Sequence, residues 1–94
     1  MAEATAKLCR ITGTVQGVWY RAWTVEQAAA RGLNGWVRNR LDGSVEALFA
    51  GPEDLVIDMI AACSQGPKAA RVANVVVEEF AGDVPQGFAQ TSDA

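Results

Sequence analysis

The chain has 94 residues, half of them apolar, and carries a formal net charge of −3 at pH 7. That length sets one small domain with room for a real core, and a charged share of 20% excludes a disordered chain. The acidic balance argues against bulk attraction to nucleic acid or to an anionic membrane, so an anionic ligand needs local positive charge, for which Arg10, Arg21, Arg38 and Arg40 are the candidates.

Two cysteines, Cys9 and Cys63, do not make the disulfide framework of a small secreted domain. Met1 to Lys7 holds no apolar stretch resembling a signal peptide, and no run approaches the ~18 apolar residues of a membrane span. The expectation is a soluble, reduced, cytoplasmic monomer, without internal repeat or linker.

Residues 1 to 6 read as a frayed end. Lys7 to Thr12 read as the first strand, with Cys9 and Ile11 on one face and Leu8 and Arg10 on the other. A glycine loop from Gly13 to Gly17 follows. The first helix spans Tyr20 to Arg31, is rich in alanine, and stops at Gly32, a common residue just past a helix end. Trp36 to Asn39 form the second strand and Val45 to Ala50 the third, joined through Arg40-Leu41-Asp42-Gly43, whose Asp-Gly pair is hairpin chemistry. The alternation of the third strand is imperfect.

The second helix starts at Pro52, with Glu53 and Asp54 suited to the positive end of its dipole, and runs to Ser64. Leu55, Val56, Met59, Ile60 and Cys63 make one apolar stripe along it, which places Cys63 in the core. Val72 to Phe80 hold the fourth strand, and Phe88 to Thr91 a short last one before a small, polar end. The order β-α-β-β-α-β predicts an antiparallel sheet with both helices on one face, an α+β arrangement.

The chemistry gathers between strand one and helix one. Gly13 and Gly17 let the main chain pass close to a ligand. The first N–H groups of a helix have no partner inside it and favour negative charge. Arg21 adds a planar fork that grips two oxygens of one phosphate. Without histidine, and with neither cysteine in this stretch, a zinc site, a Ser-His pair or a cysteine nucleophile is disfavoured. What remains suits phosphoryl transfer with a good leaving group, which needs mainly positioning and charge stabilisation. Read singly, Arg21 equally suits a cap on a neighbouring carbonyl or a pair with Glu26, and Asn39 is a residue suited to a strand end. Trp19, Trp23 and Trp36 read as core or rim packing.

Gly13-x-Val15-Gln16-Gly17-Val18-x-Tyr20-Arg21 resembles the first signature of the acylphosphatases, and Gly35-Trp36-Val37-Arg38-Asn39-x-x-x-Gly43-x-Val45, running on to Gly51, is similar to the second. The likeness spans residues 7 to 90 and implies a single acylphosphatase-like domain over 1 to 94, a ferredoxin-like α/β sandwich. It implies hydrolysis of an acyl phosphate to a carboxylate and inorganic phosphate, with no metal and no cofactor. By position, the resemblance implies that Arg21 binds the phosphate and carries catalysis. The main chain of Gln16, Gly17, Val18, Trp19 and Tyr20 completes the cradle, and Asn39 orients the attacking water. Inorganic phosphate or sulfate are expected to compete. Tyr20 stands where the family more often has phenylalanine. Two other readings share the element order: a binding or regulatory module, either catalytically idle or a detached relative of the acylphosphatase-like domain of larger carbamoyl-phosphate-using proteins, and a single-stranded RNA binder. The first wants a further domain, and the second wants outward aromatics on the central strands and basic charge.

Overall fold

The computed structural model describes residues 3–94. In chain order the elements are β1 (Ala4–Thr14), α1 (Tyr20–Ala30), β2 (Asn34–Asn39), β3 (Val45–Pro52), α2 (Glu53–Cys63), β4 (Arg71–Glu79) and β5 (Phe88–Gln90). They build one sheet in the order β4-β1-β3-β2-β5. Neighbours from β4 through β2 run antiparallel, and β5 adds in parallel to β2. This is the ferredoxin-like α+β arrangement, with the glycine loop leaving an interior strand.

Cys9 and Ile11 of β1, Val37 of β2 and Val45, Ala47 and Phe49 of β3 form one apolar surface, and each is fully buried. Tyr20 and Ala28 of α1 and Val56, Met59 and Cys63 of α2 close over it. Burying side chains of this size stabilises by about 1.5–3 kcal/mol each for the larger ones, which offsets the ordering of the backbone. The thiols share this interior: burial pushes Cys9 up to about 12 and Cys63 up to about 11. Both are therefore protonated at neutral pH, and neither is a nucleophile.

The irregular reading of β3 has a physical cause. All six residues from Val45 to Ala50 are buried, because the strand lies between β1 and β2 and is covered on both faces. Glu46 turns away from the helices, where Arg38 Nη2 approaches its Oε1 at 2.7 Å and Arg40 Nη1 at 3.2 Å. A carboxylate inside a strand thus stays paired where it is shielded from water.

One expectation for the start of the chain needs correction. Ala4, Thr5 and Ala6 are not a frayed end: they pair with Pro52, Gly51 and Ala50. The reason is that β3 continues two residues past Ala50 and offers them a ladder. Met1 and Ala2 lie outside the described residues. Further along β1 the register to β4 shifts between Thr12 and Gly13. There the backbones come so close that a Cβ on Gly13 would sit 2.1 Å from the Arg71 carbonyl oxygen. Glycine at 13 is required by that bulge, which turns the end of β1 toward the loop.

Candidate active site

The loop after β1 ends at Trp19, which precedes α1 and has φ 66° and ψ 18°. A bulky side chain in the left-handed region costs of order 1–3 kcal/mol and persists only where its surroundings demand it. Gly17, two residues earlier, has φ 73°. Left-handed residues at 17 and 19 curl the main chain into a concavity of the kind that receives anions. No side chain caps the first turn of α1, and that turn contains no acid. Its opening N–H groups are therefore not satisfied from within the protein's own side chains.

Tyr20 sends its ring into the core, where its hydroxyl donates to the Cys63 carbonyl oxygen at 2.6 Å. That bond satisfies a carbonyl at the end of α2 and gives a physical reason for tyrosine here rather than phenylalanine. Burial raises the phenol's pKa well above its usual value, so it stays a donor. With its ring in the core, Tyr20 leaves only main chain to border the site.

A cavity of about 290 Å³ opens beside this loop, lined by Val15, Gly17, Trp19, Tyr20, Arg21, Ala22, Asn39 and Gln90. The structure thus brings Arg21 and Asn39 to one hollow, together with three of the expected cradle residues, Gly17, Trp19 and Tyr20. Gln16 and Val18 do not line it. Asn39 closes β2, and its Oδ1 is buried without a protein hydrogen-bond partner. An amide oxygen left unpaired beside the cavity has an unmet demand for a donor. Trp19 stands at the rim, 81% exposed.

Four arginines were candidates for the local positive charge, and only Arg21 reaches the cavity. Arg38 and Arg40 are engaged by Glu46 on the far face of the sheet, and Arg38 also stacks over Trp36 at 4.8 Å. Arg10 lies exposed in register with Glu46 on that same face. The split follows from strand alternation: residues 10 and 38 face away from the helices, whereas Arg21 rides on the first turn of α1.

Arg21 does not pair with Glu26. Its Nη1 lies 3.6 Å from Asp93 Oδ1. Asp93 and Gln90 are the site residues that sequence reading missed. The tail reaches the site by continuing β5 alongside β2: Thr91 N–H donates to Val37 O, Ala94 N–H to Asn39 O, and Leu41 N–H to Ala94 O. No signal in the sequence announces a parallel pairing between segments so far apart.

The comparisons with known proteins agree with this geometry. The acylphosphatase family model matches residues 7–90. An acylphosphatase of Rhizorhabdus wittichii is 60% identical over 88 residues, spanning 94% of this chain and 89% of the relative. One from Rhodospirillum rubrum is 58% identical over 83 residues, spanning 88% and 91%. Among solved structures, an acylphosphatase from Coxiella burnetii superposes with a TM-score of 0.89 at 31% identity, covering 94% of this chain and 93% of that one. The curled loop, the helix start and the two signatures therefore lie in a chain that belongs to the acylphosphatase family, enzymes that hydrolyse acyl phosphates.

Proposed function

We propose that this enzyme hydrolyses acyl phosphates without a metal, with Arg21 holding the phosphoryl group and Asn39 aiming the attacking water. The observation that carries the reading is the meeting of those two residues on one cavity that the uncapped start of α1 also lines. The phosphoryl oxygens take the main-chain donors from Gln16 to Tyr20 and the guanidinium fork, both of which favour charge that is spread over several oxygens. The water hydrogen-bonds to the Asn39 amide and presents a lone pair to phosphorus. As the P–O bond to the acyl group breaks, the electron pair leaves on a carboxylate. Its conjugate acid has a pKa near that of Glu, about 4.3, so no general acid is needed. The water's proton passes to a phosphoryl oxygen, giving inorganic phosphate.

The lining supports the same account. It contains one cation, amides, apolar groups and main chain, and the carboxylate beside it, Asp93, lies 3.6 Å from the Arg21 guanidinium. Inorganic phosphate and sulfate compete for the same donors. The enzyme acts as a cytoplasmic monomer on a small-molecule substrate and uses no nucleic acid or membrane partner.

The test is a turnover assay over several acyl phosphates, with a phosphate monoester as control and with and without a chelator. Turnover of the acyl phosphates alone, indifferent to the chelator, is expected. Rates no higher than spontaneous hydrolysis, or full loss with chelator, overturn the proposal.

A further inference from the structure

The Gln16 side chain lies outside the cavity, yet it is the most tightly specified polar group of the loop. Its Nε2 donates to the Arg40 carbonyl oxygen and to the Ser44 carbonyl oxygen, each at 2.8 Å. Those carbonyls face each other across the neck of the β2–β3 hairpin, where Arg40 N–H also donates to Ser44 O at 2.8 Å. One amide nitrogen thus spends both its hydrogens on the two strands of the hairpin at once. Arg40 follows Asn39 directly in the chain.

The sheet itself does not make this connection. The ladder between β1 and β3 ends at Ile11 and Val45. Beyond it β1 bends through the Gly13 bulge and stays paired only with β4, until Thr14. Among the described residues, the two bonds from Gln16 are the hydrogen bonds that join the loop of residues 15–19 to the hairpin neck. The sheet ties the two together further back, through Val45, which pairs with Ile11 on one side and Asn39 on the other, but that ladder stops before the loop begins.

We propose that Gln16 is a positioning residue: by clamping the hairpin neck to the cradle it sets the separation between the bound phosphoryl group and the water held by Asn39. The inference rests on the roles given to Arg21 and Asn39 above. In-line attack tolerates little error, since a displacement of about 1 Å can cost roughly 10²-fold in rate. Most of the phosphate grip, Arg21 and the first N–H groups of the helix, is fixed by α1, so losing the clamp loosens only the Gln16 end of the cradle. The clamp therefore acts more on kcat than on anion affinity.

The test is a double-mutant cycle between Gln16→Met, which keeps the length and loses both donors, and Asn39→Ala. Acyl phosphate turnover and inhibition by inorganic phosphate are measured for the four proteins. Gln16→Met is expected to lower kcat about 10-fold or more while the phosphate inhibition constant moves less than about 3-fold. In the Asn39→Ala background the same change is expected to alter kcat less than about 3-fold, because the group it positions is gone. Equal losses in both backgrounds, or phosphate affinity falling in step with kcat, overturn the inference and leave the proposed activity standing. An Asn39→Ala protein with wild-type kcat removes the premise, and the inference falls with it. If Gln16→Met does not fold, Gln16→Ala, which removes the amide without placing apolar bulk at the neck, runs through the same cycle with the same criteria.

Discussion

Asn39→Ala separates function from stability at one position. Asn39 is half-buried and its Oδ1 is buried without a protein partner. An unpaired buried acceptor costs roughly 1–3 kcal/mol, less whatever a cavity water returns. Truncation to alanine removes that cost and gives up the packing of a single carbon, about 0.8 kcal/mol. The sum runs from near neutral to about 2 kcal/mol of added stability, or a rise in Tm of up to about 8–16 °C for a domain of this size. The rate moves the other way. Loss of one pre-aligned polar group lowers kcat by about 10²–10³-fold. Thermal unfolding followed by circular dichroism and turnover of a simple acyl phosphate measure the two effects on one preparation. A Tm that falls by several degrees together with the rate would mean that Asn39 serves the strand end and not the water.

Arg21→Ala is expected to lose both turnover, by at least about 10²-fold, and inhibition by inorganic phosphate; phosphate inhibition that survives the change would reassign the anion. Asp93→Asn removes the carboxylate 3.6 Å from Arg21. For an exposed pair the gain is small, so phosphate should bind about 2–5-fold more tightly at low salt, an advantage that shrinks near 1 M salt; weaker binding would show that Asp93 orients the guanidinium instead of competing for it. Alkaline pH should destabilise the fold. An unfolded thiol ionises near 8.5, whereas burial holds Cys9 at about 12 and Cys63 at about 11. Above about 8.5 the unfolded chain releases protons that the folded chain retains, so stability is full below that pH and falls as pH climbs toward those values. Denaturant midpoints at pH 7 and pH 10 read this out, and equal midpoints in a protein that stays reduced would contradict the buried-thiol picture.

Most of the fold was legible because local signals agreed with one another. The Leu55 to Cys63 stripe, the stop at Gly32 and the Asp42-Gly43 turn each follow short-range rules, and each is where it was expected. The turn is tightened further by Asp42 Oδ1, which accepts from the Ser44 N–H and hydroxyl. Those bonds hold the Asp42 carboxyl below the usual carboxylate range. What escaped depends on partners distant in sequence. Ala4 to Ala6 became strand because β3 runs on to Pro52. Glu46 became buried because Arg38 and Arg40 reach it.

The site divides in the same way. Arg21 and Asn39 were legible through their signatures, which encode a loop before a helix and a strand end before a hairpin. Gln90 and Asp93 were not, since their place depends on the tail lying parallel to β2. Gln16 was legible as part of the cradle's main chain, while its side-chain clamp on Arg40 and Ser44 emerges only when loop and hairpin are seen together.

The central claim is that α1's first turn and its arginine hold the phosphoryl group. Titration of the 15N-labelled protein with inorganic phosphate in metal-free buffer addresses it most directly. The account expects saturable shifts in the amides of Gly17 to Ala22 and in the Arg21 side chain, and their absence in Arg21→Ala. Shifts that cluster instead around Arg10, Arg38 and Arg40 on the far face of the sheet would contradict it.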